Sequence, residues 1–235
     1  MSTIIGTDGD DLLVSTAEND VLIGSLGNDV YVVQHDHVTV VEAYTTFNPE
    51  MGDVTLASQN TARAPARGGS FAPYFTQDGQ SVVFLSRAEN LVIFDSNASR
   101  DVFIKNIATG DVTRLSTTSL GQQANRGVSA FSMSADGQTM AFLSTSTNLV
   151  ADGVQNAINE PDVFVKNMQT GQVTRVSSDG LGGKADDVSF SPVISADGSK
   201  IAFASLASNL VEDDTNGSID IFVKDLMTNT LTRVC

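Results

Sequence analysis

A chain of 235 residues with 41% apolar side chains has material for one large all-β domain or for two smaller ones with cores of their own. Its 13 Lys and Arg stand against 28 Asp and Glu, and the formal charge of -15 repels phosphate backbones and anionic lipid, which argues against nucleic acid and membrane surfaces as partners. The only thiol, Cys235, leaves no internal disulfide and no cysteine-based zinc site, and no apolar run approaches the roughly 20 residues of a membrane helix.

In chain order, the start Met1-Ser2-Thr3-Ile4-Ile5-Gly6 lacks the basic and apolar regions of a cleaved secretion signal, so no N-terminal export address is expected. Residues 6 to 32 then form three blocks of nine. Asp11, Asp20 and Asp29 hold the sixth place, and Leu13, Leu22 and Tyr31 the eighth. Glycines stand at the first and fourth places of blocks one and three (Gly6, Gly9, Gly24, Gly27), whereas block two has Ser15 and Glu18 there. The pattern resembles the hemolysin-type calcium-binding (RTX) nonapeptide, G-G-x-G-x-D-x-U-x, over some 27 residues.

That resemblance implies a short parallel β-roll in which successive blocks alternate sides. A calcium ion would lie between blocks one and three, held by the carboxylates of Asp11 and Asp29 and by carbonyls of Gly6, Asp8, Gly9, Gly24, Leu26 and Gly27. Asp20, in the degenerate block, is a secondary candidate. The segment Val38-Thr39-Val40-Val41-Glu42-Ala43 is expected to cap the roll, which would end near residue 47. His35 and His37, two apart, could turn to one face of a strand and hold a metal, but a solvated strand accounts for them more simply.

Residues 48 to 69 read as a strand and linker. Gly52-Asp53-Val54-Thr55-Leu56-Ala57-Ser58 echoes Gly110-Asp111-Val112-Thr113-Arg114-Leu115-Ser116, which predicts a strand over Asp53 to Ser58; residues 59 to 69 read as an exposed linker.

From residue 70 a longer period takes over. Asp78-Gly79, Asp136-Gly137 and Asp197-Gly198 are separated by 58 and 61 residues. Asn90-Leu91-Val92, Asn148-Leu149-Val150 and Asn209-Leu210-Val211 keep step, as do Asp101-Val102-Phe103-Ile104-Lys105, Asp162-Val163-Phe164-Val165-Lys166 and Asp220-Ile221-Phe222-Val223-Lys224. Each Asp-Gly is followed by an apolar run, a hairpin signal; Thr109-Gly110, Thr170-Gly171 and Asn229 mark a second hairpin. Four strands per unit follow, apolar on both faces, as stacked sheets require. These motifs resemble TolB-type, or WD40-like (PD40), propeller repeats. The fold class expected is all-β: an incomplete β-propeller of three four-stranded blades (70–127, 128–187, 188–235), with room for a further strand, after an N-terminal roll and cap (1–47).

Two loops between second and third strands repeat D-x-N-x-x-x-D: Asp95, Asn97 and Asp101, then Asp214, Asn216 and Asp220. Alternating oxygens fit a cation loop, but Asx residues ahead of a strand more often cap a turn; these residues are secondary metal candidates. The second-to-third loops share a rim with the linkers between blades, where protein or glycan binding belongs. Hydrolytic motifs are absent: no G-x-S-x-G elbow occurs, no His lies in the repeats to activate Ser134 or Ser195, and Gly180-Leu181-Gly182-Gly183-Lys184 lacks P-loop spacing.

The function expected is therefore non-enzymatic: a calcium-binding, secreted or surface-associated repeat protein whose propeller is a scaffold. Its alternatives are the accessory propeller of a peptidase or other hydrolase, or a TolB-like periplasmic interaction module. Three blades cannot close a ring, so a homodimer completing six is a further expectation.

Overall fold

The computed structural model describes residues 2–5, 12–14, 16–23, 30–32, 39–41, 56–151 and 160–234. They fall into two compact units, Met1–Leu56 and Ala57–Cys235. Among the described residues every regular element is a strand.

The first unit is a parallel roll. Five strands, β1 (Thr3–Ile5), β2 (Leu12–Val14), β3 (Val21–Ile23), β4 (Val30–Val32) and β5 (Thr39–Val41), begin nine residues apart. They alternate between two sheets, β1-β3-β5 and β2-β4, all parallel. Thr3 pairs with Val21 and Val21 with Thr39; Leu12 pairs with Val30. A nine-residue repeat produces this arrangement because each block supplies one strand and one reversal. Leu13 and Leu22, the apolar eighth places, are buried, one from each sheet. The roll is longer than the three blocks from residue 6 to 32: it gains β1 before them, and β5 lies where a cap was expected.

The second unit holds three antiparallel meanders. Blade 1 is β6 (Ser70–Phe75), β7 (Ser81–Ser86), β8 (Asp101–Asn106) and β9 (Val112–Arg114). Blade 2 is β10 (Val128–Met133), β11 (Thr139–Ser144), β12 (Asp162–Asn167) and β13 (Val173–Arg175). Blade 3 is β14 (Ser189–Ile194), β15 (Lys200–Ser205), β16 (Asp220–Asp225) and β17 (Leu231–Arg233). Each sheet is ordered as its strands occur in the chain. The first hairpins turn at Gly79, Gly137 and Gly198, with φ of +66°, +68° and +71°, a backbone that glycine adopts without a Cβ penalty. Asn229 takes φ +58° at the third blade's second turn, where blades 1 and 2 have Gly110 and Gly171.

Successive sheets stack through alternate side chains. On β11, Met140 and Phe142 pack toward blade 1 with Val83, Leu85 and Val102. Their neighbours Ala141 and Leu143 pack toward blade 3 with Ile201, Phe203 and Phe222. Phenylalanine pairs, Phe142 with Phe164 and Phe203 with Phe222, stack at 5.6 and 5.7 Å in the two seams. Each ring buried there is worth about 1.5–3 kcal/mol, so the seams hold the unit together as much as the ladders do.

Three ten-residue hooks, two of them directly after β9 and β13 and one ahead of β6, lock the stack. Bridges Thr117–Gln123 and Ser178–Lys184 close hooks Leu115–Ala124 and Val176–Ala185, and Gln59–Pro65 closes a third at Ala57–Ala66. The segment expected as an exposed linker thus carries a hook whose Ala57 and Ala66 pack on Phe84 and Phe103 of blade 1. Buried lysines clasp two of the hooks: Lys105 Nζ donates to Gln59 O (3.1 Å), and Lys166 Nζ donates to Leu115 O (3.1 Å) and to both oxygens of Thr117. Asn90, Asn148 and Asn209 amides donate to Pro65, Gln123 and Lys184 carbonyls at 2.8 Å each. Of the predicted strand over Asp53 to Ser58, Asp53, Val54 and Thr55 lie outside the described residues, and the described half is not a strand: Leu56 is irregular, and Ala57 and Ser58 belong to the hook.

Candidate functional site

Most of the expected calcium ligands, Asp11, Asp29, Gly6, Asp8, Gly9, Gly24, Leu26 and Gly27, lie outside the described residues, as do His35 and His37. What the structure supplies is their frame. Connections 6–11 and 24–29 both run from the three-stranded to the two-stranded sheet, and they leave from hydrogen-bonded neighbours, β1 and β3, to reach hydrogen-bonded neighbours, β2 and β4. The strands of blocks one and three, β2 and β4, are therefore adjacent. Connection 15–20, from β2 to β3, runs the opposite way.

Asp20 shows what that other connection does with its carboxylate. Oδ1 accepts Ser2 N (2.7 Å), and Oδ2 accepts Thr16 N (2.9 Å), Thr16 Oγ1 (3.0 Å) and Ala17 N (2.9 Å). Donation from the Ser2 and Thr16 backbone holds its carboxyl well below the usual carboxylate range. In the block that lost its glycines, N–H groups occupy the oxygens and tie β1 to the loop.

The D-x-N-x-x-x-D loops close on themselves. Asn97 Nδ2 donates to Asp101 Oδ2 (3.2 Å) and Asn97 Oδ1 accepts Ser99 N (2.9 Å); Asn216 repeats both, to Asp220 Oδ2 (3.0 Å) and from Ser218 N (2.8 Å). The acids face guanidinium groups. Arg114 lies 3.1 Å from Asp95 and 3.4 Å from Asp101; Arg233 lies 2.8 Å from Asp214 and 3.6 Å from Asp220. Blade 2, whose loop pattern is broken, keeps the pair Arg175–Asp162 at 3.2 Å. Ser116 and Ser177 hydroxyls donate to Asp101 and Asp162 at 2.5 and 2.8 Å. Burial pushes the Asp101 carboxyl up, against the pull of Ser116, Gln123 and Arg114. This geometry is that of an ion-paired loop cap. The arginine partner was visible as the repeated Thr-Arg, but nothing in the spacing tied it to the aspartate.

Ser134 and Ser195 sit in the first hairpins, where each hydroxyl donates to the turn aspartate, Asp136 or Asp197, at 2.6 Å. Gly180 to Lys184 lie in a hook, with Leu181 N and Gly183 N donating to Asp179 Oδ1.

At the end of the blades where the second-to-third loops meet the linkers, a polar groove of 370 Å³ is lined by Arg87, Ser99, Arg100, Ser129 and Thr145, among others. Arg100 is held over the Phe71 ring at 5.8 Å, and neither arginine forms an ion pair among the described residues.

Comparison with known proteins matches an RTX calcium-binding nonapeptide repeat model, in 4 copies, to residues 3–32. No curated protein matches the chain. Solved structures similar to it include TolB from Acinetobacter baumannii, at 20% identity over 71% of this chain and 32% of that one with a TM-score of 0.44. The tricorn protease is similar at 14% identity over 68% of this chain and 14% of that one, TM-score 0.44. The β-propeller domain of the Trilobed protease from Pyrococcus furiosus is similar at 12% identity over 72% and 44%, TM-score 0.43. The chain spans about a third of the TolB chain and a smaller share of the tricorn protease. Its first unit carries RTX calcium-binding repeats, and its second is an all-β stack of three four-stranded blades.

Proposed function

We propose that this is a non-enzymatic calcium-binding protein, secreted or surface-associated, whose blades serve as a scaffold that binds protein or glycan at the rim. One observation carries the calcium reading. Residues 1–62 hold ten Asp and Glu and no Lys or Arg, whereas all 13 Lys and Arg fall in residues 63–235 with 18 acids. Parallel strands nine residues apart gather those carboxylates into a unit with no cationic side chain to balance them. Calcium, bound by Asp11 and Asp29 with the carbonyls of Gly6, Asp8, Gly9, Gly24, Leu26 and Gly27, would supply the missing positive charge, coupling the order of the roll to the calcium-rich exterior of a cell. Asp20 has its oxygens taken by N–H donors and serves the roll as a cap.

Arg87 and Arg100 support the rim as the binding surface. Two guanidinium groups without carboxylate partners among the described residues, in a chain of such negative charge, suit an acidic side chain or an acidic sugar.

Far-UV circular dichroism with calcium and with chelator tests the reading: the expected result is a gain of β signal on adding calcium that chelator reverses. Spectra indifferent to both, with a protein partner retained in pull-down, would favour the periplasmic interaction module instead.

A further inference from the structure

The three blades share the residues that fold them, so rim residues that change from blade to blade are free of that duty. The arginines of blade 1 change together. Position for position, Arg67, Arg87 and Arg100 correspond to Asn125, Thr145 and Pro161 in blade 2 and to Asp186, Leu206 and Ile219 in blade 3. Arg114, Arg126, Arg175 and Arg233 have carboxylate or carbonyl partners, whereas the guanidinium groups of Arg67, Arg87 and Arg100 make neither ion pair nor hydrogen bond among the described residues. Two rim grooves gather them. One, of 370 Å³, has Arg87 and Arg100 with the hydroxyls of Ser99, Ser129 and Thr145; the other, of 450 Å³, has Arg67 and Arg87 with Glu89 and Asn90. Arg87 belongs to both, so the two grooves adjoin.

We propose that this surface binds a short acidic glycan built of uronic acids. The inference rests on the rim as the binding surface and names its ligand. Guanidinium forks suit carboxylates, one to each sugar ring, and Arg100 is held in place over the Phe71 ring at 5.8 Å. Sugar hydroxyls, which both donate and accept, suit the remaining groups. The Ser129 and Thr145 hydroxyls make no hydrogen bond among the described residues, and Glu89, unpaired there in the same way, needs a donor close to the arginines. A run of acidic side chains would satisfy the arginines and leave Glu89 facing further carboxylates. Nor does the first groove suit a protein anchor: its apolar side chains are Ala98 and the buried Val128, whereas protein interfaces centre on aromatic or aliphatic groups seated in pockets. Both grooves fall toward the small end of ligand clefts, which span about 300–1,000 Å³, as a short oligosaccharide requires.

Isothermal calorimetry on the full chain tests this, with tetragalacturonate as the probe and tetraglutamate as its equally charged peptide counterpart. Tetragalacturonate is expected to bind saturably in calcium and in chelator alike, and tetraglutamate about tenfold more weakly or not at all. Arg87→Gln plus Arg100→Gln is expected to weaken the sugar by about tenfold or more, and Ser129→Ala plus Thr145→Val by about threefold, with unfolding midpoints unchanged. Arg63→Gln should match wild type, because Arg63 is unpaired among the described residues but lines neither groove. Tetraglutamate bound as tightly as the sugar, or sugar binding indifferent to the hydroxyl variant, would overturn the glycan and leave the rim arginines as a site for acidic peptide. Sugar binding that needs calcium, or that the arginine variant leaves intact, would overturn the proposed site. No binding of either probe, or equal weakening by Arg63→Gln, would overturn the rim reading with it.

Discussion

In the blades the aspartate that opens each third strand meets a repeated arginine, Asp101 with Arg114, Asp162 with Arg175 and Asp220 with Arg233, whereas in the roll Asp11, Asp20 and Asp29 recur with no Lys or Arg before residue 63. Both regions concentrate negative charge by repetition, since a repeat copies its carboxylates with everything else. The blades carry the counter-charge in the same repeat and are folded by their own contacts. The roll answers Asp20 with backbone donors and, in the function proposed, would take the rest of its counter-charge from solution. The difference is one of self-sufficiency, and it predicts which perturbations each region feels.

The largest effects belong to the blades. Phe142→Ala empties the center of the first seam and is expected to cost about 3–5 kcal/mol in chemical denaturation. Arg175→Met takes the guanidinium from the buried Asp162, with an expected loss of about 3–5 kcal/mol; Arg233→Met breaks the corresponding pair at a more exposed site and should cost about 1 kcal/mol or less. Equal losses at the two arginines would break the view that burial sets the value of these pairs. Lys166→Met frees the Leu115–Ala124 hook from its clasp and is expected to lose roughly 1–3 kcal/mol, independently of calcium.

The smallest effect is one of pH. Asp197 accepts Ser195 Oγ, Ser199 N and Ser199 Oγ, which lower its pKa to about 2. A carboxylate held below its unfolded value stabilises the fold fully above that value, and the contribution fades as pH falls from there through about 2. Denaturation midpoints measured down this range should fall less for Asp197→Asn than for wild type; parallel curves would deny the turn its role.

Legibility followed the same division. Strands and hairpins of the blades could be read from Asp-Gly and Thr-Gly turns because a turn is specified by its own few residues, and Asn229 was readable as a stand-in for glycine because both accept positive φ. The roll was readable from its nine-residue period, though β1 was missed because Thr3-Ile4-Ile5 lacks a glycine and aspartate loop ahead of it. The hooks were not legible. Their residues share little beyond a serine at the second place and an alanine at the end, and in two of the three a carbonyl is reached by Lys105 or Lys166 from the next blade, a contact spanning 46 residues or more. The cap loops were read only in part for the same reason: Asp95, Asn97 and Asp101 are local, and Arg114 arrives from another strand.

Calcium titration by isothermal calorimetry, on wild type and on Asp11→Ala plus Asp29→Ala, tests the claim that the roll draws its counter-charge from outside. A saturable calcium heat in wild type that is absent from the double variant, with the blades' unfolding unchanged, is the predicted result. No calcium heat in wild type, or the same heat in both proteins, would contradict it.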